Sequence, residues 1–212
     1  EAGEASYDVV LFLREVMQAG PSLVPDLIGK LAGLFQMMAS PKVVRTVLWL
    51  FGVHCTTPEM VLGILQQVKQ AMLPLPLTAP TSATSVGDSA EEPSYTVATT
   101  VREDGTYATS IAYADKRTAE RSDLVGMRAQ IVAGDYFVAA ALANALAKLT
   151  VVLFQLPAHN QQRSAAQAEV LQVMQEVLNY GLNVAPVPMD DDAHERIKLA
   201  MTVAQNPHNT FL

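Results

Sequence analysis

With 212 residues and 50% hydrophobic content, the chain is long and apolar enough to bury a sizeable core, which excludes a disordered tail. A net charge of −7 and an isoelectric point near 5.0 provide no basic field for a phosphate backbone, which excludes nucleic acid as a partner. Ala, Leu, Val, Met and Gln dominate while aromatic residues make up only 6%, a balance that favours helices over sandwiches or barrels.

The first predicted helix runs through Asp8 to Met17, where Val9, Val10, Leu13, Val16 and Met17 recur at the spacing of one helical face and Gly20-Pro21 stops the pattern. A second follows from about Pro25 to Ala39, with Leu27, Ile28, Leu31, Leu34, Phe35 and Met38 on its stripe. Ser40-Pro41 reads as N-cap plus first-turn proline of a third helix, Lys42 to about Val53, in which Val44, Val47, Leu48 and Phe51 face the core with Trp49 beside them. Trp49 is expected to be buried between helices as a core anchor, with a partner pocket as the alternative reading. The fourth opens at Thr57-Pro58-Glu59, with Thr57 as cap and Glu59 at the positive end of the dipole, and continues to Met72. Starts near Ser6 and Pro41 lie roughly 35 residues apart, the period of two-helix solenoid repeats of the HEAT or armadillo kind. The fold class expected is therefore mainly α, with residues 1–72 as two helical hairpins of a solenoid.

Residues 73–132 interrupt the helical pattern. Leu73 to Thr100 holds Pro74, Pro76, Pro80 and Pro93 and no Lys or Arg, so an extended or disordered excursion is expected. Alternation then returns over Tyr95, Val97, Thr99 and Val101, and again over Tyr107, Thr109, Ile111 and Tyr113. Asp104-Gly105 lies between the two runs and predicts a β-hairpin over 95–113 with a tight two-residue turn, packed on the solenoid. The mixed charges of Asp115 to Asp123 read as a solvated loop.

Residues 133–212 resume the solenoid. A helix starts near Gly134-Asp135 with Asp135 as cap, carries Val138, Leu142, Leu146 and Leu149, and ends before Pro157. Tyr136 to Leu156 is the richest apolar stretch, but Asn144, Lys148 and Gln155 break it, so it reads as a buried helix rather than a membrane span. Ser164 and Gln167 match a capping box ahead of Val170, Leu171, Met174, Val177 and Leu178, ending at Gly181. A last helix with Ile197, Ala200, Met201 and Ala204 follows Asp190, Asp191 and Asp192 and stops at Asn206-Pro207.

Little in this pattern carries catalytic chemistry. His54, His159, His194 and His208 are scattered, and the adjacent His54-Cys55 lacks the further ligands of a zinc site. No phosphate-binding glycine loop and no nucleophile elbow are present. The triple aspartate lacks the glycine and distal Glu of a calcium loop, so it reads as a helix cap. Of Met37, Met38, Met60, Met72, Met174 and Met201, most sit on stripes assigned to the core rather than forming an adaptable groove. No catalytic, cofactor-binding or metal-binding residue is assigned, and partner-binding residues remain unassigned. The lone cysteine, Cys55, fits a reducing, cytosolic compartment. Glu1 as first residue, with no signal peptide, and the abrupt stop at Phe211-Leu212 are expected of a piece of a longer chain.

Four segments resemble the beta subunit of coatomer, the COPI vesicle coat: Tyr7 to Met17 (YDVVLFLREVM), Lys42 to Met60 (KVVRTVLWLFGVHCTTPEM), Asp104 to Ala112 (DGTYATSIA) and Gly134 to Leu149 (GDYFVAAALANALAKL). Their order matches the family, and Thr78 to Thr100, rich in Thr, Ala and Ser, departs from the more charged linker expected of relatives. The resemblance implies a non-enzymatic α-solenoid scaffold without cofactor. It also implies assembly with other coatomer subunits, especially the delta subunit, and peripheral association with Golgi membranes and COPI-coated vesicles. An Arf-family GTPase would recruit the coat, its contact lying outside this segment, and the coat would act in Golgi-to-ER and intra-Golgi transport. The alternative is another helical-repeat trafficking adaptor, a beta-adaptin-like subunit or a transport receptor, which the hairpin and charged loop argue against.

Overall fold

The structure is a computed structural model, and it describes residues 2–78, 95–101, 107–113, 126–157 and 159–208. The chain divides into two compact units, Glu1–Pro80 with Leu124–Leu212, and Thr81–Asp123 between them.

The larger unit is helical. Its first half contains α1 (Ala2–Ala19), α2 (Val24–Leu34), α3 (Pro41–His54) and α4 (Pro58–Met72); its second half contains α5 (Met127–Val132), α6 (Tyr136–Gln155), α7 (Asn160–Asn179) and α8 (Asp191–Gln205). Contacts between helices that are not consecutive in the chain organise these into layers: α1 packs on α3 and α3 on α6, while α2 packs on α4 and α4 on α7. The last helix, α8, closes against both α6 and α7. Each helix buries its stripe on its neighbours in the stack, as in a solenoid, and the mainly α fold class expected from the sequence is the one observed.

The caps explain where several helices begin. Thr57 Oγ1 accepts from the Met60 amide at 3.3 Å, Asp135 Oδ1 from Val138 at 3.2 Å and Asp190 Oδ1 from Ala193 at 2.8 Å, each satisfying a first-turn amide and stabilising its helix by about 1 kcal/mol. Ser40 occupies the N-cap of α3 ahead of Pro41, but its side chain makes no capping bond. The capping box assigned to Ser164 and Gln167 is not formed. Helix α7 already starts at Asn160, and the Gln167 amide instead donates to Ala204 O (2.7 Å) and Gln205 O (3.2 Å), satisfying carbonyls at the end of α8.

Two other boundaries differ from the sequence reading. The regular part of α2 stops at Leu34 and a 3-10 turn, Phe35–Met37, takes over; the tighter turn rotates Met37 to 71% exposure while Phe35 stays fully buried. Helix α5 is not anticipated by periodicity, being six residues long without a capping side chain. It is bounded by Gly126 (φ +89°) and Gly134 (φ +90°), positions that an L side chain rarely adopts. The excursion begins later than proline content suggests: Leu77 is buried, and Arg128 donates to Pro74 O at 3.3 Å. Residues 79–94 lie outside the described residues.

Helix α6 is the hub. Val138, Ala139, Leu142, Leu146, Leu149 and Leu153 are all buried, and the small residues Ala140, Ala143 and Ala147 allow neighbouring helices to approach closely. Among the described residues it is the one helix long and apolar enough to cross a bilayer, and 67% of its most apolar window is buried inside the fold. An all-round apolar helix at the centre of a helical stack needs that composition for packing alone.

In the smaller unit, β1 (Tyr95–Val101) and β2 (Tyr107–Tyr113) pair antiparallel, with Tyr95 opposite Tyr113 and Val101 opposite Tyr107. A two-residue turn at Asp104-Gly105 would set Val101 opposite Ala108, so the ladder lies one residue out of the register expected. Asp104, Gly105 and the charged run 115–123 lie outside the described residues.

Candidate interaction surfaces

Residues with chemical potential are dispersed through the packed helices. His54 and Cys55 close α3. Burial pushes the Cys55 thiol up to about 12, so a thiolate is not accessible near neutral pH. His54 is held below its usual value, first by desolvation and then by the nearby Lys148 ammonium. Protonation therefore opposes folding: the unfolded chain takes up the proton first, and this contribution to stability falls as pH drops through about 6.5. An NMR titration is expected to place the His54 midpoint below that value, and a midpoint at or above it would contradict the desolvated setting. His208 packs edge-on against Phe154, ring centroids 5.1 Å apart, while His159 sits at the N-cap of α7 and His194 within α8. Among the described residues, no three His, Cys, Asp or Glu side chains converge in a way that could hold a metal. The aspartate run acts at a helix start: Asp190 caps α8, and Asp192 pairs with Arg196 one turn on, at 2.7 Å.

A set of polar contacts that no motif announces ties the helical unit together, those of α5 across its two halves and two tyrosines within the second. The Gln130 amide donates to Ala39 O at 2.8 Å and to Met38 O at 3.4 Å, and the Gly126 amide also reaches Met38 O. These carbonyls lie just past the 3-10 turn, where the chain has left the helix and needs outside donors. Tyr180 donates its hydroxyl to Val132 O at 2.7 Å, and Tyr136 donates to Val187 O. Burial pushes both phenols above their usual value, which keeps them as donors.

The sequence reading errs on Trp49. It is 48% exposed because, at about 100° per residue, it falls on the side of α3 that carries Lys42 and Arg45, away from Val44, Val47 and Phe51. The methionines divide similarly: Met72 and Met174 are buried, Met38, Met60 and Met201 lean on the core, and Met37 is exposed. Two open grooves result. One, of about 530 Å³, is mostly apolar and lies between α1 and the end of α2, lined by Val9, Leu13, Leu34 and Met37. The other, of about 560 Å³, crosses α1, α3, α6 and α8 beside Trp49.

Coatomer beta subunits from distant eukaryotes are similar to this chain over 93–100% of its length. Coatomer subunit beta of Trypanosoma brucei brucei is 32% identical over 228 residues, covering 100% of this chain and 23% of the relative. That of Rattus norvegicus is 30% identical over 204 residues, covering 94% and 21%. This chain is a relative of coatomer subunit beta. Coatomer subunit beta-2 of Arabidopsis thaliana is 26% identical over 211 residues, covering 93% and 22%. The chain thus spans between 21% and 23% of the length of these coatomer relatives. No family model matches the chain, and no solved structure matches it significantly. Of the segments that resemble coatomer beta in sequence, Tyr7 to Met17 lies on α1, Lys42 to Met60 spans α3 and the start of α4, and Gly134 to Leu149 forms most of the buried hub α6. Asp104 to Ala112 reaches β2, its first residues lying outside the described set.

Proposed function

We propose that this chain is a stretch of the helical scaffold of a COPI coat subunit, a structural component without catalytic activity of its own. The observation that carries the reading is the similarity to coatomer subunit beta along 93–100% of the chain in a trypanosome, a rodent and a plant. The fold suits the role, because a layered helical stack presents broad outer faces to partners. In this reading the parent protein assembles with other coatomer subunits, the delta subunit among them. It is cytoplasmic and reaches Golgi membranes peripherally through an Arf-family GTPase that contacts another part of the chain. In this reading residues 1–72 and 133–212 belong to the scaffold, and the intervening 73–132 carry the separate unit Thr81–Asp123 together with α5, which packs within the helical unit.

The test is affinity purification of the tagged parent protein from cytosol, with its co-purifying chains identified by mass spectrometry. Recovery of the other coatomer subunits in comparable amounts is the expected result. Recovery of clathrin-adaptor subunits instead would overturn the assignment.

A further inference from the structure

Trp49 and Phe137 are 48% and 62% exposed, and together with the half-buried Tyr7 they line one groove on the outer face of α1, α3 and α6. Scattered apolar side chains on a surface need no explanation, but three aromatic rings around one concavity do. The floor between them includes the buried Ala140, a residue too small to fill the space, so the rings form walls with room for an inserted side chain.

The charge of the groove is opposite to that of the chain. The protein has 14 basic and 21 acidic residues, yet the lining holds Arg14, Lys42, Arg45 and Arg196 and no Asp or Glu. Arg45 lies 4.4 Å from the Phe137 ring centroid, stacked on its face, which orients the guanidinium while its charge stays available. Arg14 and Arg196 each hold a carboxylate at the margin, Glu15 at 2.5 Å and Asp192 at 2.7 Å. The positive field is therefore centred on Lys42 and Arg45, next to Trp49, and falls off along the groove. Trp, Tyr, Phe and Arg, gathered here in one depression, are the residues enriched where proteins meet, and Trp, Tyr and Arg dominate the binding energy there.

We infer that this groove docks a short acidic peptide segment of a partner protein, one apolar side chain entering between Trp49 and Phe137 while flanking carboxylates meet Lys42 and Arg45. A nucleic acid strand or an anionic bilayer would need an extended basic track, whereas here the field is local and the molecule carries a net charge of −7.

Trp49 is the single tryptophan, so its fluorescence reports the groove directly, whether or not the parent assembles with coatomer. The probe is a synthetic peptide of glutamates flanking one phenylalanine, titrated into the purified chain; the controls are the same peptide with glutamine for glutamate, polyuridylate, and vesicles containing phosphatidylserine. Saturable change in Trp49 emission with the acidic peptide, weakened by added salt and absent with the three controls, is expected. Arg45→Glu and, separately, Lys42→Glu should each weaken binding about tenfold or more, with circular dichroism unchanged. No emission change, equal binding of the glutamine peptide, or displacement of the acidic peptide by polyuridylate or vesicles would each overturn the inference.

Discussion

Phe51→Ala is expected to destabilise the helical unit by about 3–5 kcal/mol, the range for deleting a fully buried aromatic, whereas Trp49→Ala, two positions earlier on the same helix, should cost less than about 1 kcal/mol. Phe51 is 0% exposed, and its ring meets that of Phe35 edge-on, centroids 5.5 Å apart at 62°. Such a pair adds about 0.5–1.5 kcal/mol beyond area burial. The cavity left by truncation would open between α3 and the 3-10 turn after α2, whose buried anchor is Phe35, so both layers would lose contacts. Urea unfolding of the two variants, with unchanged dependence on denaturant, checks this through the midpoints. Equal losses for Phe51→Ala and Trp49→Ala would mean that α3 presents a different face to the core.

That contrast also shows where the sequence was legible. Helical faces with a clear stripe, such as Val44, Val47, Leu48 and Phe51, declare themselves because the 3.6-residue period is fixed by backbone geometry. Residues at the edge of a stripe do not: hydrophobicity alone placed Trp49 in the core, although its helical phase lies with Lys42 and Arg45. Caps were readable where the side chain is short and adjacent, as at Thr57, Asp135 and Asp190, and misread at Ser164. There the competing use of Gln167, on carbonyls of α8 some 37 residues away, has no local signature. The same holds for Gln130 and Tyr180, whose partners lie 91 and 48 residues distant. Register between β1 and β2 depended on a turn motif that tolerates more than one loop length. The groove beside Trp49 was illegible for a further reason: its walls come from helices widely separated in the chain, brought together only by the stacking of α1, α3 and α6.

Gln130→Glu is expected to cost about 3 kcal/mol or more at neutral pH, a large penalty for a change of one atom. Gln130 is 2% exposed, and it is the donor half of its amide that the fold uses, toward Ala39 O and Met38 O. A carboxylate there offers only acceptors to two carbonyl oxygens, which lose a donor while a charge is buried beside them; each of these effects is unfavourable, and removing half of a buried polar pair typically costs several kcal/mol. The sign with pH follows from the same geometry. The introduced carboxyl would have a folded-state pKa raised above its unfolded value of about 4.3, because only the protonated form can donate to Ala39 O. The deficit relative to the native chain should therefore be smallest below about pH 4 and grow as pH rises through the raised value. Gln130→Met, close in volume but without the donor, separates the terms: it should lose about 1–3 kcal/mol for the unpaired carbonyls, with no pH dependence of its own. Denaturant unfolding of the native chain and both variants at matched pH values decides the matter. A pH-independent deficit for Gln130→Glu, equal to that of Gln130→Met, would place the side chain in contact with water rather than inside the joint between α5 and the turn that follows α2.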